Sequence, residues 1–107
     1  MLCFLTHRRI KPGTFEQFRA AWQPDNIERF DELGIMERIY HARSLETPDE
    51  IVSFGLADIG VDDMARLREA LGGEEGEKRR QQAMSPYVLW TGVDAVFEVV
   101  EEIRVGG

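Results

Sequence analysis

Cysteine, histidine, positive charge and long apolar runs are all scarce in this chain. Cys3 is the only cysteine, so no internal disulfide can form and no thiolate zinc site can be assembled from one chain. Its place in the run Leu2-Cys3-Phe4-Leu5 predicts a buried, inert thiol. His7 and His41 are the only histidines, and no His cluster at metal-ligand spacing, nucleophile elbow or phosphate loop is present. The expectation is a protein with no metal and no cofactor. The 13 Lys and Arg are outnumbered by 20 Asp and Glu, for a net charge of −7. That balance argues against phosphate-backbone binding, so nucleic acid is not an expected partner. The apolar start, Met1 to Leu5, gives way at once to Thr6-His7-Arg8-Arg9. It is too short for a signal peptide or a membrane span, so a cytoplasmic protein with no membrane partner is expected.

What is present suits a globular fold. Hydrophobic residues make up 43% of the 107 and charged residues 31%, which is ordinary for a soluble domain. The length fits one domain, 1–107, which buries roughly two thirds of its unfolded surface and needs no staples.

The first ten residues read as a strand. Four apolar residues in a row leave no solvent face, which predicts cover on both sides. Lys11-Pro12-Gly13 is a turn signal. Thr14 and Gln17 have capping-box spacing, and Phe15, Phe18 and Trp22 form an apolar stripe at helical spacing. Pro24 kinks or breaks that helix, Asp25 can cap a second segment carrying Ile27, Phe30 and Leu33, and Gly34 stops it. Residues 35–43 alternate with β-branched and aromatic content, as suits an edge strand. A turn cluster around Pro48 then leads to the apolar strand Ile51 to Ile59, which predicts a hairpin. Asp62 and Asp63 open a helix with Met64, Leu67 and Leu71 as its stripe, and Gly72-Gly73 ends it. Glu74 to Met84 is helical and almost wholly polar, which predicts a surface position. After Ser85-Pro86 and the apolar patch at residues 87–90, Val93 to Val105 alternates as a last strand.

The order is βαββαβ, the pattern of a ferredoxin-like α+β sandwich with both helices on one face of an antiparallel four-stranded sheet. Right-handed crossovers give strand order 4-1-3-2, with the two most apolar strands in the centre. Two helices cover one sheet face. The other is also apolar, and a second copy of the chain is its simplest cover, so a homodimer with facing sheets is expected.

Here the sequence resembles the dimeric α/β-barrel superfamily. It is similar to small domains of the antibiotic-biosynthesis-monooxygenase type and to NIPSNAP-like proteins. The resemblance rests on a first strand leading into Ile10-Lys11-Pro12-Gly13, then Phe15-x-x-Phe18-x-x-x-Trp22, in a βαββαβ chain of this length. It implies a ferredoxin-like domain pairing as a dimeric α/β barrel, with ligands in a cleft between the sheet and the first helices. The functions it implies include cofactor-independent oxygenation of quinol-like aromatics, haem degradation and isomerisation. Haem-degrading members carry an Asn on the first strand and a His on a later helix. Thr6 stands at the Asn position here and residues 61–90 contain no His, which counts against that activity.

Several residues can carry chemistry. His7 is the candidate general base, or else a polar residue at a strand end. Thr6 and Arg8 share one face of the first strand. If that face lines the cleft, Arg8 can bind a carboxylate or an enolate-like oxygen; otherwise it pairs with an acid. Tyr40 lies on the second strand, and Tyr87 and Trp90 can wall an aromatic pocket or pack in the core or dimer. His41, on an edge strand, is expected to face solvent. The function expected is that of a cofactor-independent, monooxygenase-like enzyme on a small aromatic or polyketide-like substrate. The alternative is a non-catalytic, small-ligand-binding or structural homodimer.

Overall fold

The computed structural model describes residues 1–23, 34 and 38–106. Strand β1 (Leu2–Ile10) leads into helix α1 (Phe15–Trp22). The hairpin β2 (Arg38–Arg43) and β3 (Glu50–Ala57) follows, then a short 3-10 turn (Val61–Asp63). Helices α2 (Met64–Ala70) and α3 (Gly73–Met84) lead to β4 (Val88–Glu98). The sheet is antiparallel in the order β2-β3-β1-β4, with β1 and β3 central, which is the ferredoxin-like α+β arrangement. The kink at Pro24, the segment carrying Ile27, Phe30 and Leu33, and the strand start at residues 35–37 lie outside the described residues.

Alternation along the central strands sorts their side chains cleanly. On β3, Ile51, Ser53 and Ala57 are buried while Glu50, Val52, Phe54 and Leu56 are half-buried. Even-numbered residues of β1 share the helix side with the first set, and odd-numbered ones share the opposite face with the second. The helix-side core has two parts. Ile10, Phe18, Ile51 and Met84 form one, flanked by Phe15, Trp22, Tyr87 and Val88. Leu67 and Ala70 form the other, against Phe4, Ile59 and Leu71. Packing of apolar stripes on the sheet, and not helix propensity, therefore holds the short helices in place.

Four local expectations change. Thr14 does not cap α1 through its side chain. Its hydroxyl donates to the Lys11 carbonyl at 2.6 Å, closing the turn before the helix. Helix α3 is not wholly a surface element, because Met84 at its end enters the core and Gly76 is buried. The last strand begins at Val88 and ends at Glu98. Leu2 and Glu98 are its final pair, and the Val99 N–H donates to the Met1 carbonyl at 2.9 Å. Beyond that point no neighbouring strand among the described residues offers a ladder, and Val100, Ile103 and Val105 are exposed. Cys3 lies on the face away from the helices and is only half-buried.

Candidate functional site

Because β1 sends every second side chain toward the helices, Phe4, Thr6 and Arg8 line the same space. That space is a cavity of about 700 Å³ between the sheet and the helix layer. Trp22 of α1, Met64 and Leu67 of α2 and Met84 of α3 supply apolar wall, and Asp94 and Val96 of β4 close one side. A mostly apolar cleft with a few convergent polar groups is the usual form of a small-molecule site.

Arg8 dominates its electrostatics. The residue is 3% exposed. Its Nη2 lies 3.9 Å from Asp94 Oδ2, outside hydrogen-bond range, and the Asp94 side chain is 54% exposed. Nη1 is buried without any hydrogen-bond partner. Burial pushes the Arg8 pKa down from its ordinary value, and the Asp94 charge pushes back. A guanidinium stays charged through such a shift, so the cavity contains a fixed, under-solvated cation.

Beside Arg8, one register row crosses the whole sheet on the helix side. Ser53 pairs with His41 on one side and Thr6 on the other, and Thr6 pairs with Asp94. The Thr6 hydroxyl donates to the Ser53 carbonyl at 3.5 Å. His41 Nδ1 and Ser53 Oγ are 2.7 Å apart. Contrary to the solvent-facing expectation, the His41 ring sits edge-on to Trp22 at 4.8 Å and contacts Phe15 and Phe18. Burial lowers its pKa, with a further push from Arg19. The sequence signal for this row was the period-two spacing of Ser53 on β3 and His41 on β2. The edge position of β2 by itself implies exposure, but Phe15, Phe18 and Trp22 of α1 pack over His41 there.

His7 points to the other face of the sheet. Its Nε2 lies 3.3 Å from Glu50 Oε2, and its ring meets Trp90 edge-on at 5.0 Å. Gly92 makes room for this pair, since a Cβ there would stand 2.9 Å from the Trp90 ring. Tyr40 stacks on Phe54 at 5.0 Å on the same face. Tyr87 packs against the first core cluster. The structure thus brings Thr6 and Arg8 together in the cavity, gathers His7, Tyr40 and Trp90 on the open sheet face, and puts Tyr87 in neither group. Among the described residues no cluster of His, Cys, Asp and Glu has the form of a metal site. No described helix is long and apolar enough to cross a membrane.

No family model matches the sequence, and no curated protein matches it. Solved structures do match. One, provisionally named an antibiotic biosynthesis monooxygenase, comes from Nitrosomonas europaea. It is 14% identical with a TM-score of 0.63, over 94% of this chain and 100% of that one. A second, similarly named, comes from Caulobacter crescentus. It is 16% identical with a TM-score of 0.66, over 94% of this chain and 90% of that one. An uncharacterized NIPSNAP domain protein from Burkholderia xenovorans is 16% identical with a TM-score of 0.60, over 97% and 99% of the two chains. These are the two kinds of protein that the sequence resembles, and at these identities the match establishes the fold.

Proposed function

We propose that this protein is a small homodimeric, monooxygenase-like enzyme that works without a bound cofactor on an aromatic or polyketide-like substrate held in the helix-side cavity. The observation that carries this reading is the buried Arg8 guanidinium inside a cavity of about 700 Å³. An apolar chamber with one deep cation suits a ring system bearing an acidic oxygen. Arg8 holds that oxygen and stabilises negative charge on the substrate, while the Asp94 carboxylate at the cavity wall accepts the proton. An electron-rich substrate anion then supplies all the electrons. A ring CH₂ takes one atom of O₂ to become C=O, and the other oxygen leaves as water with both hydrogens. The dimer follows from the apolar sheet face opposite the cavity, where His7, Tyr40 and Trp90 lie.

Oxygen uptake against a panel of anthrone- and quinol-type substrates tests the reading. The expected result is one oxygen molecule consumed per substrate, with turnover about 100-fold lower in Asp94→Asn, the usual scale for losing a general base. Substrate binding with no oxygen consumption across the panel would leave a non-catalytic ligand-binding dimer in its place.

A further inference from the structure

Among the described residues, Arg8 Nη1 is the one buried side-chain polar atom without a hydrogen-bond partner. Leaving a buried guanidinium nitrogen unmatched is costly, because its hydration is lost and nothing in the fold replaces it. Native chains leave few such groups, and a ligand that completes the bonding is a direct explanation. The nearest anion does not complete it: Asp94 stops 3.9 Å from the other terminal nitrogen.

The surroundings specify the missing acceptor. A guanidinium presents a planar fork of donors that matches the two oxygens of a carboxylate. The described cavity lining carries three arginines, Arg8, Arg68 and Arg80, and three acids, Glu74, Glu77 and Asp94. Of the six only Arg8 is buried. The lining as a whole is therefore neutral, and the one charge at depth is Arg8, whose Nη1 has no partner although Asp94 lies 3.9 Å from Nη2. Apolar and aromatic side chains, Phe4, Trp22 and Leu67 among them, supply wall beside these polar groups.

We infer that the ligand of this cavity is an apolar, ring-bearing monocarboxylate whose carboxylate docks on the Arg8 guanidinium. This rests on the cavity being the working site proposed above. It adds the charge and the functional group of the molecule that enters.

Naphthoate and its neutral counterpart naphthylmethanol are the probes, titrated calorimetrically into the whole protein under nitrogen. Wild type is expected to bind naphthoate at least about tenfold more tightly than the alcohol, the scale of a charge-assisted hydrogen-bond pair. Arg8→Met, with an unchanged circular dichroism spectrum, is expected to bind the two alike. Asp94→Asn removes a competing anion and is expected to tighten naphthoate binding by about threefold. Should Arg8→Met not fold, the wild-type preference and the Asp94→Asn shift still decide the matter. Equal affinity for the two probes, no binding of either, naphthoate binding that survives Arg8→Met, or weaker naphthoate binding in Asp94→Asn would each overturn the inference. Oxygen plays no part in this titration. Arg8-dependent naphthoate binding without oxygenation of any substrate sinks the oxygenase reading and leaves this inference standing. Oxygenation of neutral substrates with no preference for the acid does the reverse.

Discussion

Arg8 and His41 are ionisable side chains drawn into the helix side of the same sheet, and the fold treats them differently. Arg8 keeps its charge and lacks a partner for Nη1. His41 has a partner, Ser53, and an aromatic surround that favours its neutral form. Its pKa in the folded protein lies below the ordinary 6.5, chiefly from burial and secondly from Arg19. The unfolded chain therefore takes up a proton at this site before the native one does. His41 contributes stability that is complete above about pH 6.5 and declines as pH falls, levelling off below the folded pKa. Urea unfolding at about pH 7.5 and about pH 5.5 should show a smaller acid loss in His41→Gln than in wild type. Parallel losses in the two proteins would remove His41 from the account. That Thr6 and Arg8 share a face was readable from their spacing alone, since a strand alternates with period two. The environment of His41 was not, because it depends on a helix that crosses the edge strand.

At the scale of elements, the joint between α2 and α3 is closely packed at Gly76. Gly72 takes φ +89 and Gly73 φ +63, which ends one helix and turns the chain into the next. Arg80 Nη1 then reaches back to the Leu71 carbonyl at 2.7 Å. Gly76 is buried in this joint, and a Cβ there would collide with the Leu71 carbonyl oxygen. In an exposed helix, Gly→Ala stabilises by roughly 1 kcal/mol. Here the sign reverses, and Gly76→Ala should cost about 1–3 kcal/mol, as overpacking against backbone does. Chemical denaturation measures it, and a gain in stability would show that the two helices can part without penalty. Strand β4 shows how partners set an element's limits. Its pairing with β1 shifts register between His7 and Arg8 and again between Arg9 and Ile10. Those irregularities let residues 88–90 of the apolar patch join the strand, although Val93 is where simple alternation begins. The alternation continues to Val105, but the ladder with β1 ends at the Leu2–Glu98 pair.

The whole molecule presents an asymmetry between the two sides of its sheet. One side is covered by helices and holds the cavity. The other carries Leu5, Val52, Phe54, Leu56 and Phe97, with Phe97 49% exposed among the described residues. An apolar sheet face of this kind favours a self-complementary contact with a second copy. Light scattering should therefore give a mass of about twice the 12.3 kDa chain. Phe97→Glu, which puts a charge on that apolar face, should shift the protein to monomer while leaving its circular dichroism spectrum intact. A clean monomer for wild type would remove the facing-sheet dimer. It would leave the cavity untouched, because the cavity is on the opposite side.

The sequence by itself determined the element order, the hairpin, the central position of the two most apolar strands and the division of β1 into two faces. These follow from local periodicity and turn chemistry, which act over a few residues and are written directly in the chain. The tertiary structure alone decided which face of β1 meets the helices. Period-two alternation is symmetric between faces, and only the crossover of α1 and α2 onto one side breaks the symmetry. That choice sent Thr6 and Arg8 into the cavity and His7 to the opposite face. It also left Arg8 Nη1 buried without a partner. Whether a side chain finds an acceptor depends on residues far away in sequence, so no spacing rule could have stated it.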